Sequence, residues 1–214
     1  MSPPTLYTCA GSRGLRATWA MEEMGLDYRL EMLPFPPRWR ARDYLEINPL
    51  GTVPALRVGE SLMTESCAIL QYLVTAFGPT PLAIPPGEPD YGMFLDWLHH
   101  GEATLTFPQT VFIRFTRLEK ERGLEAAGLA YADWFGGRLA KAAARLEDHD
   151  FLCADRFTAA DISVGYALFL STLTGLDTHL TPALRAYLDR LTTRPAFRRA
   201  RERERQEAAA QGIA

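Results

Sequence analysis

One stretch of this chain presents backbone groups in a pattern that could hold a small peptide. It reads Asn48-Pro49-Leu50-Gly51-Thr52-Val53-Pro54-Ala55-Leu56 and leads, eight residues later, to Thr64-Glu65-Ser66. Pro49 and Gly51 mark a loop. Pro54 sits in an extended segment but cannot donate to a strand ladder, and it pushes Val53 towards the β region. A cis Val53–Pro54 bond would bend the chain and free the amide and carbonyl of Val53 to pair outside the sheet, as in strand addition. Thr64-Glu65-Ser66 then opens a helix, where first-turn amides and the dipole would hold a carboxylate without a metal. With no ligand, the same residues make a hairpin running into a helix, with Glu65 and Ser66 as ordinary first-turn residues.

The elements that would position these groups follow from pattern. Residues 5–8 read as a strand, 9–14 as a turn and 15–24 as a helix stopped by Gly25. Residues 26–33 alternate as a second strand, 34–37 form a loop, and 39–47 form a short helix before Asn48-Pro49. The hairpin and a helix over 65–77 complete a β-α-β-α-β-β-α order, with the first strand pair parallel and the last antiparallel. Pro79, Pro81, Pro85, Pro86 and Pro89 mark a linker. Beyond it strand signals fade and helical spacing takes over, in 91–107, 111–120 and 124–146, the last interrupted by Gly136-Gly137. The alternating Arg and Glu of 198–205 read as a solvated helix end. The expected domains are therefore 1–80, a linker over 81–89, and an all-α domain over 90–214.

The 214 residues, 47% hydrophobic, suffice for one large or two modest domains. A net charge of −3 gives no nucleic-acid footprint. No signal peptide is visible at the start, and the longest weakly polar run, 162–176, is too short to span a bilayer. Cys9, Cys67 and Cys153 are odd in number and lack metal spacing, and the four histidines show no ligand pattern, so we expect no metal and a reducing, cytoplasmic setting.

Phe157-Thr158-Ala159-Ala160-Asp161-Ile162 is a capping-box variant, Thr158 and Asp161 closing a helix start. Together with Val53-Pro54-Ala55-Leu56 and Thr64-Glu65-Ser66 it resembles the cytosolic glutathione S-transferase family, of bacterial type, over about residues 7–197. The resemblance implies a thioredoxin-like N-terminal α/β domain followed by an all-helical C-terminal domain. It implies a cis Val53–Pro54 bond, with Val53 pairing with the cysteinyl backbone of glutathione. Glu65 and Ser66 would hold its γ-glutamyl end, with Thr52 and Arg13 also in the glutathione site. A cation for the glycine carboxylate would come from Arg38, Arg40 or Arg42, with Arg40 as our choice. The electrophile site should lie between the domains, with Phe107 and Phe112 among its apolar residues, and Thr158 and Asp161 would be the family's buried helix cap.

The implied chemistry is activation of the glutathione thiol, whose free pKa lies near 8.5, by a donor aimed at the sulfur and a helix dipole. Ser12, at the expected N-cap of the first helix, resembles the serine of serine-type transferases and is favoured. Tyr7 stands where tyrosine-type members place their hydroxyl. Cys9 is a third candidate, able to form a mixed disulfide with glutathione, although the cysteine-type members' position falls here on Arg13. We therefore expect a detoxifying transferase with glutathione as co-substrate, a small hydrophobic electrophile, a homodimer, and neither nucleic acid nor membrane as partner. Other readings are a non-catalytic binding or regulatory protein on the same fold and a thiol–disulfide oxidoreductase using Cys9.

Overall fold

The computed structural model describes residues 3–213; Met1, Ser2 and Ala214, at the outer ends of the expected domains, lie outside them. The chain divides into two compact units, Met1–Ala83 with Thr193–Ala214, and Ile84–Thr192. The first has a thioredoxin-like architecture and the second is helical.

In the first unit, β1 (Thr5–Thr8), α1 (Leu15–Met24), β2 (Arg29–Met32), α2 (Pro37–Arg40), β3 (Ala55–Val58), β4 (Ser61–Met63) and α3 (Ser66–Ala76) follow in order. The sheet runs β2-β1-β3-β4. β1 and β2 are parallel, while β1–β3 and β3–β4 are antiparallel. The register sets Leu30, Leu6, Leu56 and Met63 in one row. The three leucines of that row are almost fully buried, and such cross-strand neighbours are the unit of sheet stability. α1 packs against α3; α1 buries Leu15, Trp19, Ala20 and Met21, and α3 buries Ile69, Leu70 and Leu73. Gly25 ends α1 in the left-handed region at φ 64°, its amide reaching back to the Met21 carbonyl.

Two expectations change here. The single helix over 39–47 is instead α2 and a separate 3-10 turn, Arg42–Glu46, divided at Ala41 (φ −133°, ψ 72°). The last helix, α10 (Pro195–Ala210), belongs to the first unit rather than to one domain over 90–214. It packs on α1 and β2. Trp19 meets Phe197 edge-on at 4.9 Å, and Arg194 grips Glu23 with two bonds. The Gln211 side chain pairs with Leu30 O and Met32 N on the edge of β2, at 2.8 and 2.7 Å. The tail is therefore not merely a solvated end. Arg203 lies over the Tyr28 ring at 3.8 Å and Glu204 is 1% exposed.

The second unit comprises α4 (Tyr91–His100), α5 (Phe107–Ile113), α6 (Glu125–Arg138), α7 (Ala140–Asp148), α8 (Ala159–Thr174) and α9 (Pro182–Thr192). π-helical turns at Gly101–Thr106 and Arg114–Leu118 join onto α5. A Cβ at Gly101 would meet Ser163 Oγ at 2.3 Å and its backbone at 2.6 Å, so only glycine lets α4 and α8 approach this closely. The Gly136-Gly137 pair does not interrupt the helix; α6 runs through it and stops at Leu139. Thr158 and Asp161 form the expected capping box at the start of α8.

Candidate active site

The β1–β3 register pairs Tyr7 with Ala55, which carries Val53 and Pro54 past the end of β1 to the turn over 9–14. The Val53–Pro54 bond is cis. The loop before it is braced by side chains. Asn48 Nδ2 donates to Thr52 O and Oγ1 at 2.9 and 3.2 Å, and Tyr44 Oη donates to Thr52 O at 2.8 Å. Gly51, at φ 58°, lies so close to Arg38 that a Cβ would sit 2.6 Å from the arginine's Cβ. Of the three candidate arginines, Arg38 therefore packs against this loop, and its guanidinium covers the Trp39 ring at 4.5 Å. Arg40 ends α2 and, like Arg42, is exposed.

The turn closes onto the same place. A Cβ at Gly14 would meet Thr8 Oγ1 at 1.9 Å and Pro54 Cβ at 3.6 Å. Gly11, at φ 69°, occupies the third position of a turn closed by Ser12 N donating to Cys9 O at 3.1 Å. Ser12 is not the N-cap of α1. An extra turn, with Leu15 N on Ser12 O and Arg16 N on Arg13 O, moves the cap to Gly14. The Ser12 hydroxyl instead lies 3.0 Å from Thr8 Oγ1 and accepts from the Gly14 amide at 3.3 Å. Thr8 Oγ1 also has the Cys9 carbonyl within 3.3 Å.

The other thiol-site candidates differ in setting. Tyr7 is half-buried, its ring 5.8 Å from that of Tyr44. Cys9 is 1% exposed, and burial, then the Glu204 charge, pushes its thiol up to about 12. A thiol held that far above neutrality supplies almost no thiolate. Arg13 is half-buried beside Ser12.

At the start of α3, Glu65 is the exposed N-cap residue, extended at φ −87° and ψ 119°, and Ser66 is 3% exposed. Arg16, fully buried on α1, donates from Nη1 to Ser66 Oγ at 3.0 Å. Sequence reasoning missed Arg16. Its signal was a charged residue on the buried stripe of α1, one turn before Trp19 and Ala20. In the second unit, Phe107 is 47% exposed and 6.1 Å from Tyr131, and Phe112 is half-buried.

The capping box is denser than the sequence implied. Asp161 is fully buried and accepts from Leu152 N, Thr158 N, Thr158 Oγ1 and Tyr187 Oη at 2.8–3.1 Å. Burial pushes its carboxyl up, against these hydrogen bonds. Among the described residues, no group of three or more His, Cys, Asp or Glu is gathered as a metal set. Nor is any helix among them long and apolar enough to cross a membrane.

A strand end carrying a hydroxyl pair, a cis-proline loop facing it and the start of α3 are brought together on a thioredoxin-like frame. The model of the glutathione S-transferase N-terminal domain matches residues 12–76, and that of the C-terminal domain matches 115–190. The chain belongs to the glutathione S-transferase family. It is 25% identical to glutathione S-transferase GstA of Escherichia coli O157:H7, over 89% of this chain and 93% of that protein. Among solved structures it is similar to a glutathione transferase from Methylococcus capsulatus, with 28% identity and a TM-score of 0.81 over 94% of this chain and 98% of that one. A sphingomonad glutathione S-transferase complexed with glutathione gives 26% identity and a TM-score of 0.79 at the same coverage.

Proposed function

We propose that this glutathione transferase is a serine-type enzyme of bacterial type, in which the Ser12 hydroxyl stabilises the glutathione thiolate for attack on a small hydrophobic electrophile. The observation that carries this is the wiring of Ser12. A serine hydroxyl has one proton and two lone pairs. When the Thr8 hydroxyl and the Gly14 amide fill the lone pairs, the proton is left to donate to a third group. Thr8 can instead donate to the Cys9 carbonyl. An arriving thiolate favours the first arrangement, because a charged acceptor forms the stronger bond.

Glutathione would lie with its cysteinyl backbone on the amide and carbonyl of Val53, beside Thr52 and Pro54. Its γ-glutamyl end would rest on Glu65, Ser66 and the first turn of α3, where helix amides favour a carboxylate. Arg16, by fixing Ser66, supports that end. Arg13 and one of Arg38, Arg40 and Arg42 would meet the glycine carboxylate. The thiol proton passes to solvent. The sulfur then forms a bond to the electrophilic carbon, and the leaving group departs with its electron pair. Phe107 and Phe112 offer apolar surface for the electrophile. Buried, high-pKa Cys9 speaks against disulfide exchange at that position. We further propose that the enzyme acts as a cytoplasmic homodimer in detoxification.

Turnover with an activated aryl chloride, measured beside glutathione affinity, tests the serine assignment. Ser12→Ala should lower the rate near pH 6.5 roughly tenfold for a one-unit rise in thiol pKa, leave affinity within about twofold because the loop and α3 do the holding, and regain rate at alkaline pH. An unchanged rate overturns the assignment.

A further inference from the structure

Beneath the turn that carries Ser12 lies a buried carboxylate with no place in the proposed chemistry. Glu204, on α10, is 1% exposed. Its Oε2 accepts from the Gly11 amide at 3.0 Å and from Arg201 Nη1 at 3.2 Å. Its Oε1 is buried and has no hydrogen-bond partner among the described residues. A side chain left half-satisfied in the interior costs stability, so its retention here needs a reason. The bond to Gly11 supplies one.

Gly11 takes the left-handed conformation at the third position of the turn, while Ala10 does not. That is the geometry of a type II turn, whose central peptide can flip to give type I. In the type II form the Gly11 amide points at Glu204, and a flip would aim the Ala10 carbonyl at the carboxylate instead. Glu204 therefore selects one orientation of the Ala10–Gly11 peptide, one peptide removed from Ser12. We propose that Glu204 is a positioning residue for thiol activation: it pins the 10–11 peptide through the Gly11 amide and so sets where the Ser12 hydroxyl lies.

Among the described residues, the charged and titratable groups around it are few. Arg201, Glu202, Arg198 and Arg205 stand on α10 itself, and Cys9 faces it from the turn. Glu22 and Glu23 of α1 are engaged by Arg194, Arg199 and Arg203, and β2 meets α10 through the neutral Gln211. Glu204 lies outside the groups proposed to touch glutathione, so it acts through Ser12, and the inference rests on the serine reading above.

The test compares wild type, Ser12→Ala, Glu204→Ala, Glu204→Gln and the Ser12→Ala/Glu204→Ala double variant, reading kcat, the KM for glutathione and the pKa of bound glutathione. Glu204→Ala should raise the bound-thiol pKa and cut kcat severalfold with the KM for glutathione nearly unchanged. Glu204→Gln, whose amide oxygen still accepts from Gly11, should restore both. The double variant should match Ser12→Ala alone. If Glu204→Ala does not fold, Glu204→Asp, one methylene shorter, should show the same direction of change. An unchanged thiol pKa in Glu204→Ala, failure of Gln to rescue, or additive losses in the double variant would overturn the role of Glu204 while leaving Ser12 standing. An unchanged thiol pKa in Ser12→Ala would overturn the serine reading and, with it, the route by which Glu204 acts.

Discussion

At the scale of single residues, the buried Arg16–Ser66 bond is the least expected feature. A guanidinium enclosed between α1 and the start of α3 fixes a hydroxyl that would otherwise rotate freely. Arg16→Met keeps much of the packing and removes the donor. We expect it to weaken glutathione binding about fivefold or more, the value of one hydrogen bond at about 1 kcal/mol, with kcat at saturating glutathione nearly unchanged. Equal losses in kcat and affinity, measured by steady-state kinetics and calorimetry, would disprove this division of labour. The glycines and prolines of the site were legible in the sequence because they encode backbone shape locally: Pro54, Gly51 and Gly25 each do what their type dictates. Arg16 and Glu204 were not, because nothing in their neighbours along the chain says which distant element will enclose them.

At the scale of elements, β1 and α1 were legible to the residue, since a strand and a helix separated by a glycine-bearing turn announce their own periods. The capping box was legible for the same reason, as both partners lie within four residues. Its reinforcement by Leu152 and Tyr187 was not, since Tyr187 arrives from another helix. The N-cap of α1 falls at Gly14 rather than the expected Ser12, because the extra turn over 12–16 is held by backbone bonds that any residue can make. Asp161→Ala strips four buried donors of their acceptor at once. The expected loss is about 3 kcal/mol, above an ordinary cap and within the range for a broken buried network. Urea denaturation with unchanged slope and a lower midpoint would bear this out; an unmoved midpoint would contradict it.

At the scale of the whole molecule, the tail was the largest misreading. Alternating Arg and Glu in 198–205 satisfy a surface-helix pattern, yet α10 is a structural part of the first unit. Glu204 makes stability depend on pH. Burial pushes its carboxyl up from an ordinary 4.5 to about 7, against the lowering effects of the Gly11 amide and Arg201. The folded state therefore holds this proton more tightly than the unfolded chain. The group's favourable contribution is complete below about pH 4.5 and is lost as pH rises through about 7, a change on the order of 3 kcal/mol. Glu204→Gln should therefore melt several degrees above wild type at pH 8, with the gap closing near pH 5. A gap independent of pH would contradict the assignment. The proposed homodimer predicts sedimentation at about twice the 23.9 kDa chain mass at micromolar concentration; a species at the chain mass would rule it out.

The central claim is that Ser12 lowers the pKa of bound glutathione, and a thiolate absorbance titration of the binary complex tests it most directly. The account predicts a thiol pKa at least one unit below that of free glutathione in wild type, Tyr7→Phe and Cys9→Ala, and a return towards the free value near 8.5 in Ser12→Ala alone. A pKa that stays low in Ser12→Ala and rises in Tyr7→Phe or Cys9→Ala would contradict it and pass the role to that residue.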